Sequence, residues 1–337
     1  MATTFDVCGR LGVALAIASG AAIVPASTPA TTVVYTSTDQ EYAEVVFREA
    51  EAAIGHKIAA VFDAEASKTV GLERRLVAER SRPRADVFWN SEMLRTYRLS
   101  KQGVLGSTTV DKSLGLPTTV ITATSVGFGL RSRVIAVHTP SVSELDRPKR
   151  LLDLGNPRFK GRVAIARPLF GTTSTHFAAL YAELGASKFT EFLQALKNND
   201  VMILPGNGDV RDAVAAGRAF VGLTDTDDAI GAIRRGQPLA MIFPDQQGMG
   251  AFSVYMTLAK VADGPSPVGA QRLIEYLASE KTEARLIELG AVQIPVRSHL
   301  PMAKEIGAVR PKLWLMDPAK IDASLEPSVE LIRKHLL

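Results

Sequence analysis

Three carboxylates and two hydroxyls close a short apolar run, Val221-Gly-Leu-Thr-Asp-Thr-Asp-Asp228. Residues Ala219 to Leu223 have the composition of a buried strand. Thr224, Asp225, Thr226, Asp227 and Asp228 therefore fall at its carboxyl end, where open α/β sheets hold their ligands. Carboxylates crowded into one turn repel, which raises their pKa values or recruits a cation. A hard metal ion would take several such oxygens, an ammonium group only one or two. A solvated acidic turn in which one aspartate caps the next helix is the plainer alternative.

A second group has the opposite character. Gly171-Thr-Thr-Ser-Thr-His176 follows a strand and opens a helix. Gly171, Thr172, Thr173 and Ser174 would offer backbone N–H groups, hydroxyl donors and the positive end of the helix dipole to an anion. The Gly-Lys-Ser/Thr ending of a phosphate-binding P-loop is missing, and a well-capped helix with His176 in a structural hydrogen bond fits equally well. Asn207, in the turn Pro205-Gly-Asn-Gly-Asp209, ends another strand of the same unit.

Three more strand ends bring polar side chains to one edge. Thr32 to Tyr35 runs into Thr36, Ser37, Thr38 and Asp39, and Thr38 with Glu41 has capping-box spacing. Lys57 to Phe62 runs into a turn with Glu65 and Ser67, and Ala85 to Trp89 into Asn90, Ser91 and Glu92. Helix capping accounts for many of these hydroxyls. It accounts less well for Glu65, Asn90 and Glu92.

Strands alternating with helices at this spacing predict a largely parallel sheet covered on both faces. The pattern changes at Thr118-Thr-Val-Ile-Thr-Ala-Thr124 and Ser132-Arg-Val-Ile-Ala-Val137, which read as extended and suited to carry the chain between two domains. A second α/β unit follows with strands at Val163 to Ala166, from Met202, and from Val221. Leu239 to Phe243 and Ser253 to Thr257 read as returning strands, and Pro267 to Leu289 as an amphipathic helix or helix pair. Neither a fixed-period repeat nor a low-complexity tract is found.

The 337 residues, 46% hydrophobic and 22% charged, suffice for two domains. A net charge of +4 is spread without a basic block or interleaved aromatics, so nucleic acid is not an expected partner. Leu11 to Ala26 is an apolar run after Arg10, followed by small residues to Ala30, and residues 1–30 are read as a secretory signal peptide. The single cysteine, Cys8, precedes that run, so a mature chain cut near Ala30 holds no disulfide, thiolate metal site or cysteine nucleophile. The five histidines lack metal-ligand spacing and no Gly-x-Ser-x-Gly elbow occurs, so no catalytic residue is assigned and an enzyme is the less favoured class.

The order of these motifs, Val34-Tyr-Thr-Ser-Thr-Asp39, Glu65-Ala-Ser-Lys-Thr69, Ala85 to Glu92, Gly171 to His176 and Leu223 to Ala229, resembles extracellular solute-binding proteins of ABC importers in the ferric-iron-transport branch, from about Thr32 to Pro295. The resemblance implies a two-lobed type II periplasmic-binding-protein fold with a two-strand hinge, crossing at Thr124 to Val137 and returning at Phe243 to Thr257. Residues 31–125 with 250–300 would form one lobe, and 126–249 with 301–337 the other. It further implies a periplasmic or secreted monomer that delivers a small-molecule or metal-ion ligand, ferric ion as transported solute, to a permease and its ATPase. No resident cofactor is implied. Members of that branch hold iron with two adjacent tyrosines after a second-lobe strand. This chain has Thr224-Asp-Thr-Asp there, and Thr38-Asp39 where some members place a histidine. Glu92, Asp225 and Asp227 are then the candidate metal ligands. The alternative solute is a small phosphonate, phosphorylated or zwitterionic molecule, its anion on Gly171 to Ser174 and Ser67 and its amine on Asp225 or Asp227.

Overall fold

A computed structural model describes residues 31–63 and 70–337. The expected leader with Cys8, and the turn residues Glu65 and Ser67, lie outside the described residues. Strand β1 (Thr31–Thr36) pairs in parallel with β2 (Lys57–Phe62) and β3 (Val87–Asn90), with α1 (Gln40–Ile54) and α2 (Val70–Ala78) on the crossovers. After α3 (Met93–Lys101) the chain enters β4 (Val126–His138). The second parallel set is β5 (Val163–Ala166), β6 (Met202–Leu204) and β7 (Val221–Asp225), connected through α4 (Gly171–Asn198) and α5 (Asn207–Ala215). Helix α6 (Thr226–Arg234) and β8 (Leu239–Ile242) lead to β9 (Ala251–Lys260), then α7 (Pro267–Leu277), α8 (Glu280–Leu289), β10 (Leu313–Trp314) and α9 (Pro318–His335).

The strands follow the order β2-β1-β3-β9-β4-β7-β5-β6, with β8 paired to β4 and β10 to β9. Strand β4 serves both halves. Its first part runs antiparallel to β9, Val126 opposite Leu258 through Ser132 opposite Ser253, and its second part antiparallel to β7, Arg133 opposite Asp225 through Val137 opposite Val221. Strand β9 pairs through Val87 to Asn90 with β3. These two strands are the hinge, and on either side of it a parallel set points its carboxyl ends toward the gap between the lobes.

Each half has its own core, as area-proportional burial demands. In the first, Trp89 is fully buried, edge-on to Phe47 with ring centroids 5.5 Å apart and against Phe128 at 6.1 Å. Val34, Ala43, Met256, Leu273 and Val292 close around them. In the second, Phe177, Phe189 and Phe192 of α4 pack on Ile135, Val163, Ile165 and Leu223, with Ile332 and Leu336 of the C-terminal helix region completing the layer. Helix α9 lies along α4 and touches α3. The region from Thr118 departs from the extended reading. Thr118–Val120 is a 3-10 turn, and only Ile121 reaches a bridge, to Val126. β-branched composition did not suffice for a strand there: Thr122 N and the Ser125 carbonyl close a turn, and the Ala123 carbonyl accepts from Thr108 N.

The hinge bulges between Phe128 and Leu130, where Gly129 has φ +55° and a Cβ would meet Val292 Cγ2 at 2.5 Å. Its freed N–H donates to Glu283 Oε1 at 3.0 Å, which also accepts from Val296 N at 2.6 Å. Glu283 Oε2 pairs with Arg297 Nη1 at 2.5 Å, and both side chains are fully buried. Arg297 spends its other donors on the carbonyls of Leu114 and Ala278. A fully satisfied buried pair therefore pins the bulge to the first lobe. Removing one member strands the other's charge, typically at a cost of about 3–5 kcal/mol. Arg297→Met should lower the urea-unfolding free energy by that amount, and Glu283→Gln combined with Arg297→Met should cost less than Arg297→Met alone.

Candidate functional site

The cleft between the lobes is lined by Ser37, Thr38, Asp39, Tyr42, Ser91, Met256 and Ala291 on the first-lobe side, Asp227 on the second, and Arg131 from the hinge. Free space is about 10 Å³ for the centre of a water molecule, room for roughly one water. Strand ends build this geometry. Ser37 Oγ donates to Asn90 Oδ1 at 2.7 Å, accepts from Ser91 N at 2.9 Å and lies 3.0 Å from Ser91 Oγ, which ties the ends of β1 and β3 together. Thr36 Oγ1 accepts from Thr38 N at 3.0 Å, tightening the turn into α1. Asp39 occupies the N-cap position of α1 without a side-chain cap bond, and Thr38 Oγ1 is buried with no hydrogen-bond partner, so the capping box expected from Thr38 and Glu41 does not form. Thr38 is turned toward the cleft instead.

The acidic turn is neutralised from within. Arg131 and Arg133 stand two residues apart on β4, hence on one face of the strand. Arg133 Nη1 meets Asp225 Oδ1 at 2.7 Å and Asn207 Oδ1 at 3.1 Å, and its Nη2 donates to Thr173 Oγ1 at 3.2 Å. Asn207 Nδ2 donates to Asp225 Oδ2 at 2.9 Å. Arg131 Nη1 meets Asp227 Oδ2 at 2.7 Å, and its Nη2 donates to the Ser91 carbonyl at 3.1 Å across the cleft. Arg211 Nη1 approaches Asp228 Oδ1 at 3.4 Å, while Thr224 Oγ1 donates to Asp228 Oδ2 at 3.1 Å. Asp225, Asp227 and Asp228 do bring carboxylate oxygens within 4.8 Å of one another, the arrangement a cation would use. Each also faces a guanidinium, Asp225 that of Arg133, Asp227 that of Arg131 and Asp228 that of Arg211, so the protein's own arginines stand where the sequence reading placed a cation.

The remaining expected site residues take structural positions. Glu92 is buried as the N-cap of α3, accepting from Leu94 N at 2.7 Å and Arg95 N at 2.9 Å. Burial raises its pKa, while Arg95 and the two N–H groups pull the other way. Asn90 Nδ2 donates to the Glu92 carbonyl at 2.6 Å. Thr226 Oγ1 accepts from Ser132 N at 3.2 Å and donates to Gln293 Oε1 at 3.0 Å, linking the second lobe to the segment after α8. Gly171 begins α4, Thr172 and Ser174 are buried in its first turn, and Thr173 lies behind the cleft beside Arg133. His176 is stacked on Phe252 with centroids 4.9 Å apart, and Trp314 meets it edge-on at 6.3 Å. Burial and the nearby Arg133 hold it well below the usual histidine range, so it is neutral. The structure thus brings Ser37, Thr38, Asp39 and Asp227 to the cleft, puts Asp225, Asn207 and Thr173 in the layer behind it, and leaves Glu92 and His176 outside it.

Tyr42, Arg131, Met256 and Ala291 are cleft residues that the sequence reading did not single out, and Ser91 was passed over as a turn residue. The signal for Arg131 was present. Two arginines at strand spacing within an otherwise apolar, buried run require partners. Burial works against the charge on Arg131, but Asp227 and Asp225 more than offset it. Burial also pushes Tyr42 up to about 12, reinforced by Glu41, Asp39 and Asp227, so its phenol is protonated near neutral pH.

Burial and the charges of Asp227 and Asp225 raise Asp228 to about 8, against the pull of Arg211 and Thr224. An unfolded aspartate ionises near pH 4, so the folded protein holds this proton over the window from about 4 to about 8. Its contribution is fully present below the unfolded value and is lost as pH rises through that window. Urea unfolding at pH 5, 6.5 and 8 should show this declining limb in the wild type and a flatter one in Asp228→Asn.

Residues 111–315 match the bacterial extracellular solute-binding protein family. Iron uptake protein A1 of Synechocystis sp. is 24% identical over 287 residues, 78% of this chain and 76% of that protein. Iron-bound HitA from Pseudomonas aeruginosa superposes with a TM-score of 0.80 at 20% identity, covering 92% of this chain and 100% of that one. Trichodesmium IdiA (FutA) in complex with iron and citrate ligands superposes at 0.78, with 20% identity and 90% and 98% coverage. These likenesses in fold agree with two α/β lobes joined by two crossing strands, the type II periplasmic-binding-protein architecture. With more than half its length matched by the family, the chain belongs to the bacterial extracellular solute-binding proteins.

Proposed function

We propose that this protein is the extracytoplasmic solute-binding subunit of an ABC importer, which captures ferric iron between its lobes and delivers it to a membrane permease and its ATPase. The observation that carries the reading is the two-walled cleft, with oxygen donors from Ser37, Thr38, Asp39 and Tyr42 facing Asp227. Hard ferric ion prefers such ligands. The names of the Synechocystis, Pseudomonas and Trichodesmium proteins support iron as the solute. Asp39 and Asp227 would provide carboxylates from opposite walls. Tyr42 would bring a phenol from the first lobe, whereas the second-lobe positions Thr224 to Asp227 contain no tyrosine.

The reading includes a lobe division of 31–125 with 250–300 and 126–249 with 301–337, export by residues 1–30, action as a monomer, and transport without chemical turnover. None of the described helices is long and apolar enough to cross a membrane. A phosphorylated or zwitterionic solute is the second reading, favoured by the guanidinium of Arg131 in the cleft.

Native mass spectrometry with elemental analysis, on protein taken from its own cell envelope, separates the two. Stoichiometric iron supports the first and an organic mass the second. Calorimetry with the recovered solute should show Asp227→Ala weakening binding by about tenfold or more, near 1.4 kcal/mol. A solute at one hundred times its Kd should stabilise the wild type by about 2.7 kcal/mol. Unchanged affinity in Asp227→Ala would contradict the cleft assignment.

A further inference from the structure

In the first lobe, sharing no lining residue with the cleft, a groove of about 410 Å³ runs between the neighbouring helices α2 and α3. Small-molecule sites typically enclose about 300–1,000 Å³. Residues three and four apart on a helix share a face, so Arg74, Val77 and Ala78 form one wall from α2, and Arg95, Arg98 and Gln102 the other from α3. Glu73 is the one carboxylate among the described lining residues.

Three guanidinium groups thus share one carboxylate. Glu73 Oε2 takes Arg95 Nη1 at 3.1 Å, and Glu73 Oε1 stands 3.8 Å from Arg98 Nε. Arg95 and Glu73 are 8% and 7% exposed, so both are built into the groove and do not merely hang over it. Arg98 also meets Asp322 of α9 at 3.4 Å, but that carboxylate holds Lys101 as well, at 3.2 Å. Arg74 makes no hydrogen bond or ion pair among the described residues, and its donors are open to a ligand. Two carboxylates therefore face four cations around one concavity. A cation is repelled there, and a neutral solute leaves the surplus charge uncompensated. An oxyanion fits, because planar guanidinium forks pair two-to-two with its oxygens, and a phosphate has oxygens enough for two forks. Val77, 38% exposed, and Ala78 give the carbon part of such a ligand an apolar strip.

We infer that the α2–α3 groove is a second binding site, for a phosphate-bearing ligand, with Arg74 and Arg98 on the phosphate oxygens and Gln102 donating beside them. The phosphate of a small ester and that of an anionic lipid headgroup share this chemistry. The site does not depend on what fills the cleft.

Titration of the full chain at about 0.15 M salt with glycerol 3-phosphate, and with vesicles of phosphatidylglycerol in phosphatidylcholine, tests the site and separates the two sources. At least one probe should bind with a Kd of about 1 mM or tighter. Binding of the ester assigns a free solute, and binding of the phosphatidylglycerol vesicles alone, with none to pure phosphatidylcholine, a headgroup. Arg74→Ala, which breaks no contact within the fold, should weaken binding by about tenfold, and the further change Arg98→Ala should weaken it again. Arg82→Ala, an exposed arginine outside the groove, should leave it within about twofold. Equal losses in Arg74→Ala and Arg82→Ala would reveal diffuse attraction to a positive surface and overturn the inference, as would binding of neither probe. Both outcomes leave the cleft assignment standing.

Discussion

Two aspartates on the second-lobe wall can be placed inside the protein only because two arginines on the hinge strand meet them. Arg133 holds Asp225 with both side chains nearly inaccessible, and Arg131 holds Asp227 at the edge of the cleft. An unpaired carboxylate at either place would take up a proton or seek water. The pairing is registered by the sheet itself, since Arg133 stands opposite Asp225 in the β4–β7 ladder. Strand register, ion pairing and cleft chemistry are therefore one constraint. A one-residue slip of β4 would turn both guanidinium groups to the other face and take them from Asp225 and Asp227.

The same strand is also the mechanical link. Its first half belongs to the sheet of one lobe and its second half to that of the other, so Arg131 sits where the two sets meet. On the first-lobe side, the Gly129 bulge is anchored by Glu283 and Arg297. On the second, Thr226 ties the β7–α6 junction to Ser132 and Gln293. Lobe closure is a hinge motion in proteins of this architecture. Here Arg131 lies on the strand shared by both sheets and Asp227 on the turn paired to it, so a solute held in the proposed cleft would act on the link between the lobes.

Much of this was legible from the residues alone, and the parts that were not share a physical cause. Alternating apolar runs with polar ends located the parallel strands and placed Ser37, Thr38, Asp39 and Asp227 at strand ends, because period and turn chemistry are local properties. Glu92 and His176 look like ligands by type. Local composition does not say that a carboxylate will be consumed by its own helix cap, nor that an imidazole will stack on Phe252 from a distant strand. Arg131 escaped notice for a related reason: its partners, Asp227 and the Ser91 carbonyl, are 96 and 40 residues away. The α9 helix at the C-terminus, which completes the second core, carries no chemistry and drew no attention in the sequence.

The central claim is that the cleft lined by Asp39, Arg131 and Asp227 is the place where the proposed solute binds. A crystal structure of the protein with its solute bound measures this directly. The account predicts atoms of the solute within bonding distance of Asp39 on one side of the cleft and Asp227 on the other. A solute lodged away from both aspartates would contradict it.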